Sequence, residues 1–311
     1  MATAGGKAQP KADRQAYLGP AGARFLENLV YRKTIRPRGL RRVISHAMFL
    51  ALDARQGRRC GAGDLRKMLP PVQGARPATT DGPCSLIAFG DPRFISRFAP
   101  ALIASIRENS PTTSLHLHQF GEKTEALPSV VTGTKGVSFS WEASLCDGMS
   151  PARRCQYYQS MRFIRLAEFL QTARRGLLAI DIDSVVRRNL DACQHFWQNA
   201  DIGLILRYDF ADPGKRVLAA ALYAAPTDAA RRVMSKGAGR MLPHVLLSPF
   251  TEKLDQRCLQ RTFQRDAEGV RIVPLPMTLA ALDGEDAVIV SYRGKRKNQA
   301  LQAQAHPKSN V

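Results

Sequence analysis

From residue 84 onward, short apolar runs alternate with longer amphipathic stretches. Cys84–Phe89 is uninterrupted and reads as a strand, and Gly90-Asp91-Pro92 reads as a turn. Pro92 is suited to open a helix. Phe94 to Asn109 reads as that helix, with Phe94, Phe98, Leu102 and Ile106 on one face. Leu115–Phe120 and Val137–Trp141 predict two further strands. Residues 153–173 predict a helix with Phe163, Leu166, Ala167 and Leu170 as its stripe. Gly176-Leu177-Leu178-Ala179-Ile180 then runs straight into Asp181-Ile182-Asp183-Ser184. An apolar run without a period is the mark of a strand covered on both faces. Asp201–Leu206 and Val217–Ala225 read as strands, and Thr227 caps a helix running to Lys236. Asp255–Phe263 reads as a short helix, and Val270–Leu275 and Ala287–Val290 as late strands. Strand, helix and strand in this order predict a doubly wound α/β domain with a mostly parallel sheet.

The pattern before residue 84 is different. Residues 1–15 are rich in Gly, Ala and Lys and predict no fixed fold. Ala21–Lys33 and Gly39–Gln56 read as helices. The second carries Leu40, Val43, Ile44, Ala47 and Met48 as a stripe, ringed by Arg41, Arg42, Arg55, Arg58 and Arg59. Such a helix either packs on the main domain with a solvated basic face or lies in a membrane interface. Residues 69–83 hold Pro70, Pro71, Pro77 and Pro83 with Gly74 and Gly82, and read as a linker. The chain thus divides into a basic helical extension over 1–80, an α/β domain over 84–298 and a polar tail over 299–311.

Charge sharpens this division. The net charge is +20 over 311 residues. Residues 1–80 hold 16 Lys/Arg against 4 Asp/Glu, a net +12, which leaves +8 for the other 231 residues. The excess therefore implies an anionic partner of the extension, such as a membrane surface, and not necessarily the substrate of the main domain. Nucleic acid fits less well, because basic and aromatic residues are not interleaved. The six cysteines are scattered without a C-x-x-C pair, which argues against a zinc site or a disulfide framework and for a reducing compartment. No apolar leader follows Lys7 and Lys11, and Ala47–Leu52 is too short to span a bilayer. A cytoplasmic protein, peripheral at the inner face of a membrane, is the expectation.

Asp181 and Asp183 carry the chemistry. They fall at the C-terminal end of a buried strand, where open α/β sheets place their ligand crevices. Residues i and i+2 of an extended chain point to the same side. Two hard oxygen donors so placed suit Mg²⁺ or Mn²⁺. Their mutual repulsion calls for a cation nearby. His116 and His118 have the i, i+2 spacing of metal ligands, but no acidic or Cys partner stands close in sequence, and they read as ordinary strand residues.

Together these positions resemble a known family. The order is a strand, Asp91 and Phe94 in a D-P-x-F turn, Arg162-Phe163 on a helix, Asp181-Ile182-Asp183 after an apolar strand, Asp255-Gln256, and Gly294 with Lys297 near the C-terminus. This resembles the GT-A fold of nucleotide-sugar glycosyltransferases, most like the glycogenin and galactosyltransferase group (family 8-like). The resemblance covers roughly residues 84–298. It implies a hexose moved from a nucleoside diphosphate, UDP favoured, to a glycan or lipid-linked acceptor. It further implies Mn²⁺ or Mg²⁺ at Asp183 and Asp181, with Arg162 and Lys297 on the diphosphate and Gly294 allowing close backbone approach. Ala88, Asp91 and Phe94 would line the nucleoside pocket. Asp255 and Gln256 would position the sugar or its acceptor, with Asp255 available as a base. The sequence departs from the group at Ser291, which stands where a metal-binding His is usual.

Two rivals remain open at this point. Asp181-Ile182-Asp183-Ser184-Val185 also fits a phosphohydrolase of the haloacid-dehalogenase type, with Asp181 as nucleophile and Asp283-Gly284-Glu285-Asp286 as the second acidic group. The other is a non-catalytic, basic membrane- or nucleic-acid-binding protein built on a decayed transferase domain.

Overall fold

The computed structural model describes residues 67–77, 84–121, 131, 133–207, 216–247, 253–282, 284 and 286–292. The helices expected over 21–56, Gly294 and Lys297 lie outside them. The main sheet is built from β1 (Gln73–Gly74), β2 (Ser85–Gly90), β3 (Ser114–Phe120), β4 (Val137–Glu142), β5 (Leu177–Asp181), β7 (Ile202–Leu206), β8 (Val217–Ala224) and β9 (Ile272–Leu275). Its order is β1-β4-β3-β2-β5-β8-β7-β9. Neighbours from β4 to β5 are parallel, β8 runs antiparallel between β5 and β7, and β9 is parallel to β7. A small second sheet joins β6 (Ser184–Val186), β10 (Ala280–Leu282) and β11 (Ile289–Ser291) in the order β10-β11-β6.

Helices cover both faces, as two-sided burial of β2 and β5 requires. Along β5, Leu177 and Ala179 join one apolar cluster and Leu178 and Ile180 the other. Helix α1 (Pro92–Asn109) lies on the Leu178 side, burying Ile95, Phe98, Ala99, Leu102 and Ile106. Three helices share the Leu177 side: α2 (Pro151–Thr172), α3 (Asp228–Leu247) and α4 (Leu254–Arg265). Asp91 caps α1, its Oδ1 accepting from the Phe94 N–H at 2.8 Å, and Pro92 opens the helix. Thr227 Oγ1 accepts from Ala230 N–H at the start of α3 and donates to Asp201. Helix α3 does not end at Lys236 but continues through Gly237-Ala238-Gly239 to Leu247, packed on Thr262 of α4 near Gly237.

The stretch read as a linker over 69–83 is docked where it is described. Strand β1 pairs antiparallel with β4, Gln73 opposite Trp141 and Gly74 opposite Ser140. Leu69 and Val72 pack on the core, and Arg165 Nη2 donates to the Pro70 carbonyl at 2.6 Å. Prolines read as loop signals here because proline is confined to strand edges and turns. What holds the segment is tertiary.

Beneath it lies a buried polar cluster. His116 and His118 sit on β3 facing α2, as Phe120 does. His116 bonds Ser138 and Ser140, and His118 bonds Ser140. Glu142 pairs with Arg165, which also pairs with Glu168. Strand serines thus engage both ring nitrogens of His116 and Nδ1 of His118, while His118 Nε2 stays buried 3.8 Å from Glu142.

Candidate active site

Strand pairing sets Phe89 of β2 opposite Asp181, the last residue of β5. Asp181 therefore stands at the C-terminal ends of these strands, where open α/β sheets place their ligand crevices. Because β5 alternates, Asp181 continues the Leu177 and Ala179 row and faces α2. There Arg162 meets it: Nη1 donates to Asp181 Oδ1, Nη2 donates to Asp255 Oδ2 at 3.3 Å, and Nε donates to the Gln159 carbonyl at 3.1 Å. One guanidinium thus joins the acidic strand end of β5 to the first turn of α4.

Burial pushes the Asp181 carboxyl above its ordinary value; Arg162 pulls it down, and Asp183 adds to the upward push. Burial also raises Asp255, against Arg162 and the backbone N–H groups of Gln256 and Asp255 itself. Desolvation works against the Arg162 cation, but its two carboxylates more than offset this and hold its pKa raised. A cation therefore stands at Asp181, as its repulsion with Asp183 calls for, and that cation is Arg162, which it shares with Asp255. The resemblance puts Arg162 on a diphosphate. Here all three of its nitrogens are engaged by protein oxygens, because buried Asp255 and partly buried Asp181 need their counter-charge.

Asp183 follows β5 in a two-residue turn and immediately precedes β6. The two carboxylates are thus not on one continuous strand, yet they remain close enough for Asp183 to shift Asp181. Ser291 pairs with Ser184 across β11 and β6, their hydroxyls 2.7 Å apart. Strand pairing therefore puts Ser291 beside the acidic turn, with its hydroxyl buried on Ser184. No local pattern reveals this contact, which spans 107 residues.

Among the described residues no group of three His, Cys, Asp or Glu side chains forms a metal cage. Asp181 and Asp183 nonetheless fit a hard divalent ion of the kind that takes one or two carboxylates and completes its shell from phosphate and water.

The remaining predicted positions separate. Asp91 is used in the α1 cap, at the crevice edge. Phe94 does not join the buried face predicted for it; its ring is 42% exposed one turn into α1. Ala88 is fully buried in the α1-side core, so its methyl presents nothing to a ligand. Gln256 is half-buried in the first turn of α4. Lys253, just before α4, holds a left-handed φ of 55°, unusual for a side chain of its kind and close to Asp255. Sequence reasoning misses this position, since nothing in the residue type signals it. Of the acidic run that a phosphohydrolase would need, Asp286 is described: it is 96% exposed and 3.8 Å from Arg188 on the small-sheet side.

No family model matches the sequence, and no curated protein matches it. Solved structures do. An active-site mutant of LgtC matches with a TM-score of 0.50 and 10% identity, over 73% of this chain and 97% of that one. The apo form of WbbM, a bifunctional glycosyltransferase, gives 0.49 and 12% identity over 75% of this chain and 51% of its own. Apo GlyE of Streptococcus pneumoniae, a glycosyltransferase, gives 0.49 and 12% over 72% and 60%. The chain thus spans about half of WbbM and nearly all of LgtC. At these identities the likeness is one of fold: the chain has a GT-A architecture, with a mostly parallel central sheet between helices.

Proposed function

We propose that the chain is a glycosyltransferase that moves a hexose from a nucleoside diphosphate sugar, UDP favoured, to a glycan or lipid-linked acceptor. The observation that carries this reading is the Asp181–Arg162–Asp255 cluster, with Asp183 beside it, at the strand ends of a GT-A sheet. A diphosphate leaving group gains negative charge as it departs. Mn²⁺ or Mg²⁺ held by Asp183 and Asp181 supplies Lewis-acid neutralisation of that charge when bound.

The chain's own residues divide the remaining work. Arg162 pulls Asp181 and Asp255 toward the ionised form against their burial and fixes both in place. Asp255 stands at the first turn of α4, where it can position an acceptor hydroxyl. As the bond from anomeric carbon to diphosphate oxygen breaks and the acceptor oxygen bonds to that carbon, the hydroxyl proton passes to Asp255. A carboxyl raised by burial is a better base than an exposed one. The exposed Phe94 ring offers an apolar face at the crevice edge for a nucleobase.

Thermal unfolding with UDP, GDP and CDP, each with and without Mn²⁺, tests the reading. A ligand specific to the folded state at about a hundred times its Kd adds roughly 2.7 kcal/mol of stability. We expect one nucleotide to stabilise the native chain in an Mn²⁺-dependent way, and Asp183→Ala to abolish the effect. Silence with all three nucleotides overturns the proposal.

A further inference from the structure

Ser105 alone among the buried residues of α1 is polar. It is 3% exposed, so its hydroxyl must find partners inside the protein. It donates to the Leu102 carbonyl of its own helix at 2.8 Å and accepts from the Val186 N–H of β6 at 3.0 Å. One turn further on, Asn109 Nδ2 donates to the Ser105 carbonyl at 3.1 Å and to the Val186 carbonyl at 3.0 Å. Side chains at this spacing lie on one line of a helix. Both main-chain groups of Val186 are thus taken up by α1. Strand β6 lies at the edge of the small sheet, with β11 on one side, where Val186 stands opposite Ile289. On its other side two helix side chains do what a further strand would do. Ser110, at the end of α1, continues the line: its hydroxyl accepts from the Leu190 N–H at 3.1 Å and donates to Asn189 Oδ1 at 3.3 Å.

We infer that Ser105 and Asn109 are positioning residues for Asp183: by clamping β6 they hold that carboxylate where a divalent ion on the diphosphate needs it. The inference rests on the reading of Asp183 as a metal ligand. Asp183 immediately precedes β6 and Val186 ends it, so what fixes Val186 fixes the short strand behind the carboxylate. Apolar packing alone does not require a serine at 105, because an alanine would suit the same buried face. What the hydroxyl adds is an acceptor for the Val186 N–H, which is otherwise buried without one. A donor so stranded is costly, and the strand relieves the cost by shifting, which moves Asp183 with it. The same helix bears Asp91 and Phe94 in its first turn, so one rigid element carries both the residues proposed for the nucleoside and the clamp behind the metal ligand.

The test compares the full native chain with Ser105→Ala, Asn109→Ala and the double variant. Asp183→Ala is the reference for loss of the ligand itself. Ser114→Ala is the control for a merely structural loss: Ser114 is also buried, and its hydroxyl donates to Ser85 at 2.9 Å at the start of β3, the opposite end of the sheet from Asp181. Mn²⁺ is titrated into each chain with UDP, GDP or CDP, whichever stabilises the native chain, and free Mn²⁺ is read from its paramagnetic resonance signal. Amide exchange over residues 184–187 is read by mass spectrometry without ligand. Exchange there should quicken in the Ser105 and Asn109 variants. Mn²⁺ affinity should fall several-fold in each single variant and roughly tenfold in the double one, the low end for lost support behind a metal ligand. Ser114→Ala should keep native affinity. Native affinity or native exchange in the double variant overturns the inference and leaves the metal reading standing, as does an equal loss in Ser114→Ala. If the double variant fails to fold, Ser105→Ala decides by the same outcomes. If the native chain takes up Mn²⁺ no better than Asp183→Ala, the metal reading falls and the inference falls with it.

Discussion

Arg162 holds two carboxylates that would otherwise repel each other in a poorly hydrated place. Removing it strands both, so Arg162→Ala should destabilise the fold by about 3 kcal/mol or more. The deficit should shrink in acid, where Asp181 and Asp255 take up protons and no longer need the guanidinium. Chemical denaturation of native chain and variant at neutral and acid pH reads both effects; a deficit independent of pH contradicts the clamp. The buried cluster on β3 and β4 makes a second prediction. Burial lowers His116 from 6.5 to about 3, with Arg76 adding to the shift, and lowers His118 as well. Below pH 6.5 the unfolded chain takes up protons that the folded one refuses, so this contribution to stability is lost as pH falls, at up to about 1.4 kcal/mol per pH unit per group. Glu142 acts in the opposite sense. Burial pushes it from 4.5 up to about 7 against the pull of Arg165, so the folded state holds a proton that the unfolded state has released. Its contribution declines as pH rises through that window. Glu142→Gln should therefore gain stability more steeply than the native chain between pH 4.5 and 7, and His116→Asn less steeply; melting curves across the window decide both.

Helix α2 and the edge strand β1 depend on each other. Gly74 has a φ of +88°, and a Cβ there would lie 2.7 Å from the Phe139 carbonyl and 2.6 Å from the Trp141 ring. Gly74→Ala should cost about 1–3 kcal/mol and loosen β1 from β4, seen as faster proteolysis near residue 74. An unchanged digestion pattern would mean the edge does not hold the segment. This edge also shows what an apolar pattern can and cannot convey. The strand at 177–181 is legible because burial on both faces leaves an unbroken hydrophobic run, and α1 because Asp91-Pro92 announces its own cap. Strand β1 is two residues of Gln and Gly whose partner is remote, so nothing local marks it. At the site, Asp181, Asp183, Asp255 and Arg162 are legible as residue types, and the structure brings Arg162 onto both Asp181 and Asp255. That it faces them instead of solvent follows from the alternation of β5 and the packing of α2. The methyl of Ala88, by the alternation of its own strand, is turned into the core.

At the scale of the molecule, the stable unit starts earlier than the α/β pattern does. Leu69 and Val72 pack on the α2-side core, Arg76 reaches Glu168 at 3.5 Å, and Arg165 holds the Pro70 carbonyl. A chain beginning at residue 84 should be less stable than one beginning at 67 by on the order of 2 kcal/mol, from lost apolar burial alone. Equal urea midpoints for the two would refute this. The acidic turn between the two sheets has a different consequence. Asp181 ends β5 in the large sheet, and Asp183 stands one residue before β6 in the small one. One carboxylate is thus anchored by each sheet. Strand β11 is fastened to β6 through Ser291 and Ser184. The position of Asp183 is therefore set, through β6, by a strand 107 residues away along the chain, and that of Asp181 by the large sheet.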